Sequence, residues 1–293
     1  MDEHDGLDLL AQRFEAERRR LTALAHRMLG SAAEAEDAVQ EAWLRLARAD
    51  AAGVGNLAAW LTTVVSRLCL DALRGRAARR EDPVGEHPPD VVLDGDGPQE
   101  EALLTESVGR ALLVVLDTLG PDERVAFVLH DSFAVPFDRI GPVVGRTPSA
   151  AKKLASRARA KVHGTPAAGV EAARAHRAVV EAFLAAARGG DIAELLAVLA
   201  PDVVRRADPA TLPEGSAALV RGARAVAQET SLLSSRARYA APVLLDGAVG
   251  IVVAPRGRLA LALTVQVTGA RISSYEVIAS PARLRAMRVA LAP

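Results

Sequence analysis

Aromatic residues are scarce in this chain: only 3% of its 293 residues are Phe, Trp or Tyr. A surface that grips nucleic acid mainly by stacking bases on rings is therefore not expected. Cysteine occurs once, as Cys69 inside an apolar run, which excludes an internal disulfide and a multi-thiolate metal site. The 6 histidines are scattered, with no i, i+4 pair to hold a metal on one helix face. No metal centre is expected, and nothing in the chain calls for a cofactor. No run is long and apolar enough to span a membrane, and the opening MDEHDGLDLL lacks signal-peptide character. With the lone thiol, this gives a cytoplasmic chain as the expectation. Net charge is absent too, since 36 basic residues meet 36 acidic ones.

What is present is an apolar half, rich in Ala, Leu and Val, in a chain long enough for about two or three domains. The balanced charges are segregated. Basic residues gather at 67–80 and 146–161, and Glu81, Asp82, Glu86, Asp90, Asp94, Asp96, Glu100 and Glu101 fill the stretch after the first cluster. Local basic patches of this kind are what a phosphate backbone responds to.

Residues 7–80 read as helices. Phe14, Leu21, Leu24, Met28 and Leu29 form an apolar stripe that ends at Gly30, and Ser31 with Glu34 spells a capping box for the next helix. There Ala35, Ala38, Val39, Ala42, Trp43 and Leu46 face inward. Asp37, Gln40, Glu41 and Leu44 share another face, an acidic stripe with an apolar residue on it. After a loop at 51–56, a third helix starts near Leu57 and buries Trp60, Leu61, Val64, Val65, Leu68 and Leu73. Arg67, Asp71 and Arg74 take its opposite face, and Arg76, Arg79 and Arg80 extend the charge. Prolines, glycines and acids without periodicity mark 81–101 as a linker.

Residues 102–163 are helical again: Leu103 to Leu119, a helix opened by Pro121-Asp122-Glu123, then a helix, a turn and a second helix. Gly145 suits a left-handed helix end, Thr147 an N-cap, and Pro148 the first helical position. The following helix carries Lys152, Lys153, Arg157, Arg159 and Lys161 with no acid among them. That is how a helix-turn-helix offers a recognition helix to a DNA major groove, although a basic face can also be plain solvated surface. Pro142 removes a donor inside the first of these helices and should kink or shorten it. A short Gly/Pro linker runs over 164–169. Beyond it the texture changes: an amphipathic helix with Val179, Val180, Phe183 and Leu184 ends at Gly189-Gly190, and Asp191 caps a short one. Residues 259–268 then alternate with period two, and Gly269 turns them into a second strand, 271–279. This last domain is α+β, with helices first and an antiparallel sheet after.

Three segments carry a family resemblance: AEAEDAVQEAWLRL (33–46), AWLTTVVSRLCLDALR (59–74) and LDTLGPDERVAFVLHDSFAVPFDRIGPVVGRTPSAAKKLASRARAKV (116–162). In order and spacing they resemble the extracytoplasmic-function branch of bacterial sigma factors. The tail from about Glu171 is similar to the SnoaL-like domain that some of these factors carry fused. The resemblance implies a multidomain fold: two all-α sigma domains, the second with the helix-turn-helix, followed by a cone-shaped α+β barrel. The implied boundaries are 1–80 for sigma domain 2, 81–101 for the linker, 102–163 for sigma domain 4 and 170–293 for the SnoaL-like domain.

The same resemblance implies partners and roles. Asp37, Gln40, Glu41 and Leu44 would dock the β′ coiled-coil of core RNA polymerase, with the β flap as a further polymerase contact. The loop Val54-Gly55-Asn56-Leu57 would take up a flipped base of the −10 element, aided by Asn56, Arg67, Arg74 and Arg76. Arg146, Ser149, Lys152, Lys153, Ser156 and Arg157 would read or hold promoter DNA at −35. Fused relatives often show a tryptophan-proline motif, a glycine-rich Asp-Gly-Gly-Gly stretch and an Asn-Pro-Asp-Lys-Leu ending. The corresponding places here read EHPPDVV (86–92), RADPATLPEG (206–215) and ASPARLRAM (279–287), so only Pro281 and Leu284 of the ending remain. Pro281, Arg283 and Leu284 are the expected regulatory contact. Two readings of the tail stand side by side: a built-in regulator, or a module that binds an unknown small ligand or catalyses with Asp202, Glu276 or His176. A plain helix-turn-helix repressor leaves the acidic stripe at 34–46 unexplained.

Overall fold

The computed structural model describes residues 3–48, 55–81, 107–208 and 217–293. Most of the expected acidic linker, Val54 of the base-capture loop and residues 209–215 therefore lie outside the described residues. Contacts divide the chain into two compact units. One comprises Met1–Gly85 with Leu119–Ala160, the other Glu86–Thr118 with Lys161–Pro293.

The first unit is helical. Its elements are α1 (Glu3–Leu29), α2 (Ala32–Arg48), α3 (Leu57–Glu81), then α5 (Pro121–Phe127), α6 (Phe137–Val144) and α7 (Pro148–His163); α4 belongs to the other unit. The α1 stripe of Phe14, Leu21, Leu24 and Met28 is buried against α2 and α3, with Phe14 tilted on Trp43 at 5.0 Å. Ser31 caps α2 by accepting from the Glu34 N–H at 3.4 Å. The other arm of the expected capping box is not made, because Glu34 turns instead to Arg76 at 2.8 Å. In α3 the buried row is Leu61, Val65, Cys69 and Leu73, one turn apart; Trp60, Val64 and Leu68 lie on its flank and are only half-buried. Burial pushes the Cys69 thiol up to about 12, so it is an inert core residue.

His26 in α1 is also buried, and burial first, then the guanidinium groups of Arg124 and Arg27, hold its imidazole below the ordinary 6.5. The folded chain thus keeps it neutral, while the unfolded chain protonates first as pH falls. The stability of this unit should be full above roughly pH 6.5 and drain below it, by at most about 1.4 kcal/mol per pH unit. Thermal melting between pH 8 and pH 5 checks this, and His26→Leu should flatten the profile.

The helix-turn-helix forms where the sequence places it. Gly145 ends α6 at φ 68°, and the Arg146 N–H closes the turn on the Gly141 carbonyl at 2.9 Å. Thr147 caps α7 by accepting from the Ala150 N–H at 3.2 Å, with Pro148 in the first helical position. Pro142 sits inside α6, which is 8 residues long and continues past it to Val144. The inner row of α7 is Ala151, Ala155, Ala158 and Val162, small residues that let it seat closely. Between α5 and α6 lies a π-helical turn, Val128–Ser132.

The second unit is built on α8 (Val170–Gly189), α9 (Ile192–Val198), α10 (Ala223–Ser231), α11 (Ser234–Ala237), α12 (Pro281–Ala286) and a sheet. Its strands are β1 (Leu199–Ala207), β2 (Leu219–Arg221), β3 (Ala240–Leu245), β4 (Ala248–Val253), β5 (Leu261–Thr268), β6 (Arg271–Ile278) and β7 (Val289–Leu291). Their order is β2-β1-β6-β5-β4-β3-β7, with β1 and β6 parallel and all other neighbours antiparallel. The sheet is not closed. β2 and β7, each 3 residues long, pair with one neighbour apiece, so the expected cone-shaped barrel is an open sheet. Val180, Phe183, Leu184 and Ala187 of α8 pack with Leu244, Ile251, Val265 and Tyr275 to form its core.

The expected strand pair is present as β5 and β6. Sequence reading missed β3 and β4, joined by Asp246 and Gly247, both left-handed at φ 51° and 87°. An Asp-Gly pair between apolar runs is a hairpin signal. The runs themselves do not alternate, because nearly every residue of β3 and β4 is buried.

Two segments expected elsewhere are parts of this unit. The 164–169 stretch lies on the sheet: the Ala167 N–H donates to the Gly247 carbonyl at 2.9 Å, and a Cβ on Gly164 would stand 2.6 Å from that of Ala290. Helix α4 (Ser107–Asp117) packs on β3, β7 and the turn Pro255–Gly257. There Gly257, at φ 71°, leaves room for Leu113, which a Cβ would approach to 2.8 Å. Arg110 of α4 donates to the Arg238 carbonyl and lies over the Tyr239 ring at 5.5 Å. Among the described residues no helix is long and apolar enough to cross a membrane.

Candidate nucleic-acid interface

Helix α7 turns its basic row to solvent. Arg146, Ser149, Lys152, Lys153, Ser156, Arg157 and Arg159 are all exposed, opposite the buried alanines. Their neighbours differ. Arg159 is paired with Asp131 at 2.6 Å, while Arg157 stands 3.9 Å from Glu123 and Arg146 the same distance from Asp122. Lys152 and Lys153 have no ion pair, and the Ser149 and Ser156 hydroxyls no hydrogen-bond partner, among the described residues. The arginines thus already have carboxylates beside them, whereas the lysines and serines are bare.

The −10 candidates on α3 are placed in different ways. Arg67 is exposed and donates to the Pro142 carbonyl at 3.3 Å. Arg74 forks onto one Asp122 oxygen at 2.8 and 3.2 Å. Asp122, at the start of α5, therefore gathers a −10 candidate and a −35 candidate, Arg74 and Arg146, around one carboxylate. Such exposed pairs are worth about 0–1 kcal/mol each, so a phosphate can displace them. Arg76 is used internally: it donates to the Leu29 carbonyl at 3.0 Å and to Glu34 at 2.8 Å, locking α3 to the turn between α1 and α2. Asn56 spends its side-chain oxygen as the N-cap of α3, accepting from the Ala59 N–H at 2.9 Å. Asp122, Glu123 and Asp131 were not singled out as partners from sequence. Asp122 and Glu123 read there only as first-turn acids suited to a helix dipole.

The stripe on α2 is intact as a surface. Asp37 and Gln40 are exposed and make no side-chain contact of their own with a polar partner among the described residues. Glu41 is partly covered and pairs with Arg45 at 2.9 Å, and Leu44 is 40% exposed. An apolar side chain ringed by carboxylates suits a basic partner.

In the second unit Pro281 opens α12, Leu284 is half-buried, and Arg283 meets Glu276 of β6 at 2.7 Å. Glu276 is thereby engaged by Arg283, Asp202 is exposed on β1 and His176 lies along α8. The buried polar groups are others. Arg205 of β1 forks onto Glu229 of α10, and Thr230 shares a hydrogen bond with the Tyr275 hydroxyl at 3.2 Å. Burial pushes the Tyr275 phenol up to about 12, away from acid–base work near neutrality. Among the described residues no group of His, Cys, Asp and Glu could hold a metal ion.

Comparison with known proteins fits this arrangement. Residues 13–79 match Sigma-70 region 2. The chain is 46% identical over 199 residues to the ECF RNA polymerase sigma factor SigJ of Mycobacterium tuberculosis strain H37Rv, covering 67% of this chain but 64% of SigJ, just under two thirds. It is 40% identical over 212 residues to the probable ECF RNA polymerase sigma factor SigI of Mycobacterium tuberculosis strain CDC 1551, covering 71% of this chain and 72% of that one. The crystal structure of Mycobacterium tuberculosis SigJ aligns over 93% of this chain and 97% of its own, at 32% identity with a TM-score of 0.40. The identities to SigJ and SigI over those aligned lengths, with the region 2 match, show that the chain belongs to the ECF RNA polymerase sigma factors.

Proposed function

We infer that this ECF sigma factor binds core RNA polymerase and directs it to promoters, doing no chemistry of its own, and that its C-terminal unit modulates that activity in cis. The observation that carries the reading is the pair of bare lysines, Lys152 and Lys153, on a capped helix-turn-helix that shares a compact unit with the acidic stripe of α2. Asp37, Gln40, Glu41 and Leu44 dock the β′ coiled-coil, and the helix-turn-helix region meets the β flap. Arg67 and Arg74 hold −10 DNA. Arg76 and Asn56 act one step back, by fixing α3 and its first turn. Ser149, Lys152 and Lys153 meet base edges at −35, while Arg146, Arg157 and Arg159 trade their carboxylates for phosphates. Run-off transcription with purified core polymerase tests the whole reading: promoter-dependent transcripts support it, and their absence removes it.

The division of labour on α7 has its own test. Lys152→Ala and Lys153→Ala should each cost about 1–3 kcal/mol on a −35 duplex and relax its specificity. Arg159→Ala should weaken specific and random DNA alike and lower the salt slope by about one. Equal losses from all three variants on both DNAs would show that α7 reads no sequence.

Modulation by the C-terminal unit runs through α4 in this reading, because α4 is packed on that unit's sheet while leading in sequence into α5 of the helical unit. Arg110→Ala removes a hydrogen bond and a stacked cation, a loosening of about 1–3 kcal/mol. It should change the yield of promoter-specific transcripts at least twofold with core binding unaltered. Identical transcription by the variant and the parent would set the modulation aside.

A further inference from the structure

Within the first unit a groove of about 280 Å³ opens between α3 and the segment from the π-helical turn to α6. Its size falls just below that of drug-sized ligand pockets, which run from roughly 300 Å³ upward, so it suits only a small ligand. Much of its lining is apolar, with Leu129, Phe133, Val135 and Val143 among the contributors, and Ala59, Thr62, Thr63 and Ser66 supply the α3 side.

Independent features of this groove go beyond what the fold needs. Ser66 is fully buried, yet its hydroxyl has no hydrogen-bond partner. Leaving such a group unmet costs about 1–3 kcal/mol. Arg139 contributes to the lining, is exposed, and its guanidinium meets no carboxylate or other partner among the described residues. Ala134, also in the lining, is held left-handed at φ 52° without being glycine. That conformation costs about 1–2 kcal/mol, and it lies two residues beyond the end of a π-helical turn. Strained backbone and π turns cluster where a protein holds a ligand.

We propose that this groove is a binding site for a small organic monocarboxylate with an apolar body and a hydroxyl at its far end. The carboxylate pairs with the Arg139 guanidinium, which presents a planar fork of donors matched to that group. The hydroxyl satisfies Ser66, and the body lies against Leu129, Val135 and Val143. One guanidinium with no second cation in the lining favours a singly charged carboxylate over a phosphate. Since α3 and α6 both form the walls, an occupied groove fastens the −10 module to the helix-turn-helix, so the ligand is a candidate signal for the factor. The binding site does not rest on promoter direction, whereas the ligand's part as a signal does.

The test uses the full chain with methyl-labelled Leu and Val, observed by NMR without polymerase. The probe is 4-hydroxybenzoate, beside benzoate, phenol, inorganic phosphate and a single-stranded −10 oligonucleotide. Saturable shifts of the Leu129, Val135 and Val143 methyls are expected with 4-hydroxybenzoate. Arg139→Ala should weaken binding at least tenfold. Ser66→Ala should erase the preference for 4-hydroxybenzoate over benzoate and leave the melting temperature unchanged or higher, since the lost hydroxyl has no partner to leave behind. The proposal is overturned by absent or non-saturating shifts, by binding indifferent to both substitutions, or by phosphate alone reproducing the shifts. It is equally overturned if only the oligonucleotide moves these methyls, or if Ser66→Ala destabilises the chain.

Discussion

Replacing Asp37 and Glu41 together by arginine should abolish binding to core RNA polymerase while leaving the helical unit folded. Both residues lie away from the buried row Ala35, Ala38 and Ala42, so the change does not touch the core. The local loss is the Glu41–Arg45 pair one turn apart, worth about 0.3–0.5 kcal/mol. At the interface the effect is far larger. Two carboxylates that attract a basic partner helix become two like charges, and like-charge juxtaposition costs several kcal/mol, on the order of a hundredfold or more in affinity. Leu44→Ala should act in the same direction but more weakly, near tenfold, as truncation of a part-exposed apolar anchor. Co-purification with core polymerase reads the first loss, and thermal melting confirms the fold. If the double variant still co-purified and transcribed as the parent does, the docking role of this stripe would be wrong.

That stripe, and the helix-turn-helix, were readable because each is written in short-range physics. The period of α2 separates its alanines from Asp37, Gln40 and Glu41 without any knowledge of what packs where. Gly145, Thr147 and Pro148 each have one backbone position that suits them, and together they mark a helix end and a helix start to the residue. The features that were not readable depend on partners distant in sequence. Asp122 is an ordinary first-turn acid until the fold brings Arg74 and Arg146 to it. Arg76 projects onto the same side of α3 as Val65 and Cys69, but only the fold shows that the turn after α1 captures it. Helix α4 is amphipathic either way, and nothing in its own residues says that a sheet some hundred residues later would bury Leu113. The β3–β4 hairpin was lost for the opposite reason: strands covered on both faces give no alternation, so only Asp246-Gly247 was left to signal them. Closure of the sheet was a property of the resembled fold, not of these residues, and the short edge strands do not make it.

The second large effect is expected from a single methyl group. Gly141→Ala should remove −35 binding, by roughly ten- to a hundredfold, while the α2 docking surface still takes up core polymerase. Gly141 lies in α6 with ordinary helical backbone, and alanine is the better helix former there by about 1 kcal/mol. Propensity alone therefore predicts a more stable protein. Space predicts the reverse: a Cβ at this position would stand 2.8 Å from the Arg146 carbonyl oxygen, 3.2 Å from the Pro148 nitrogen and 3.3 Å from the Thr147 carbonyl carbon. All three are backbone atoms of the turn, so no flexible side-chain tip can yield, and the turn itself has to move away from α6. Overpacking of this kind costs about 1–3 kcal/mol. The turn carries the N-cap of α7, so its displacement shifts Ser149, Lys152 and Lys153 together. Gly145→Ala provides the contrast. Nothing lies within 4 Å of a Cβ there, so only the left-handed backbone is penalised, by about 1 kcal/mol, and Gly145→Asn should be milder still. Fluorescence anisotropy on a −35 duplex, beside thermal melts, ranks the variants. The expected order of damage to DNA binding is Gly141→Ala, then Gly145→Ala, then Gly145→Asn; a Gly141→Ala protein that bound as tightly as the parent, or melted higher, would mean that the close seating of turn on helix does not position the recognition helix.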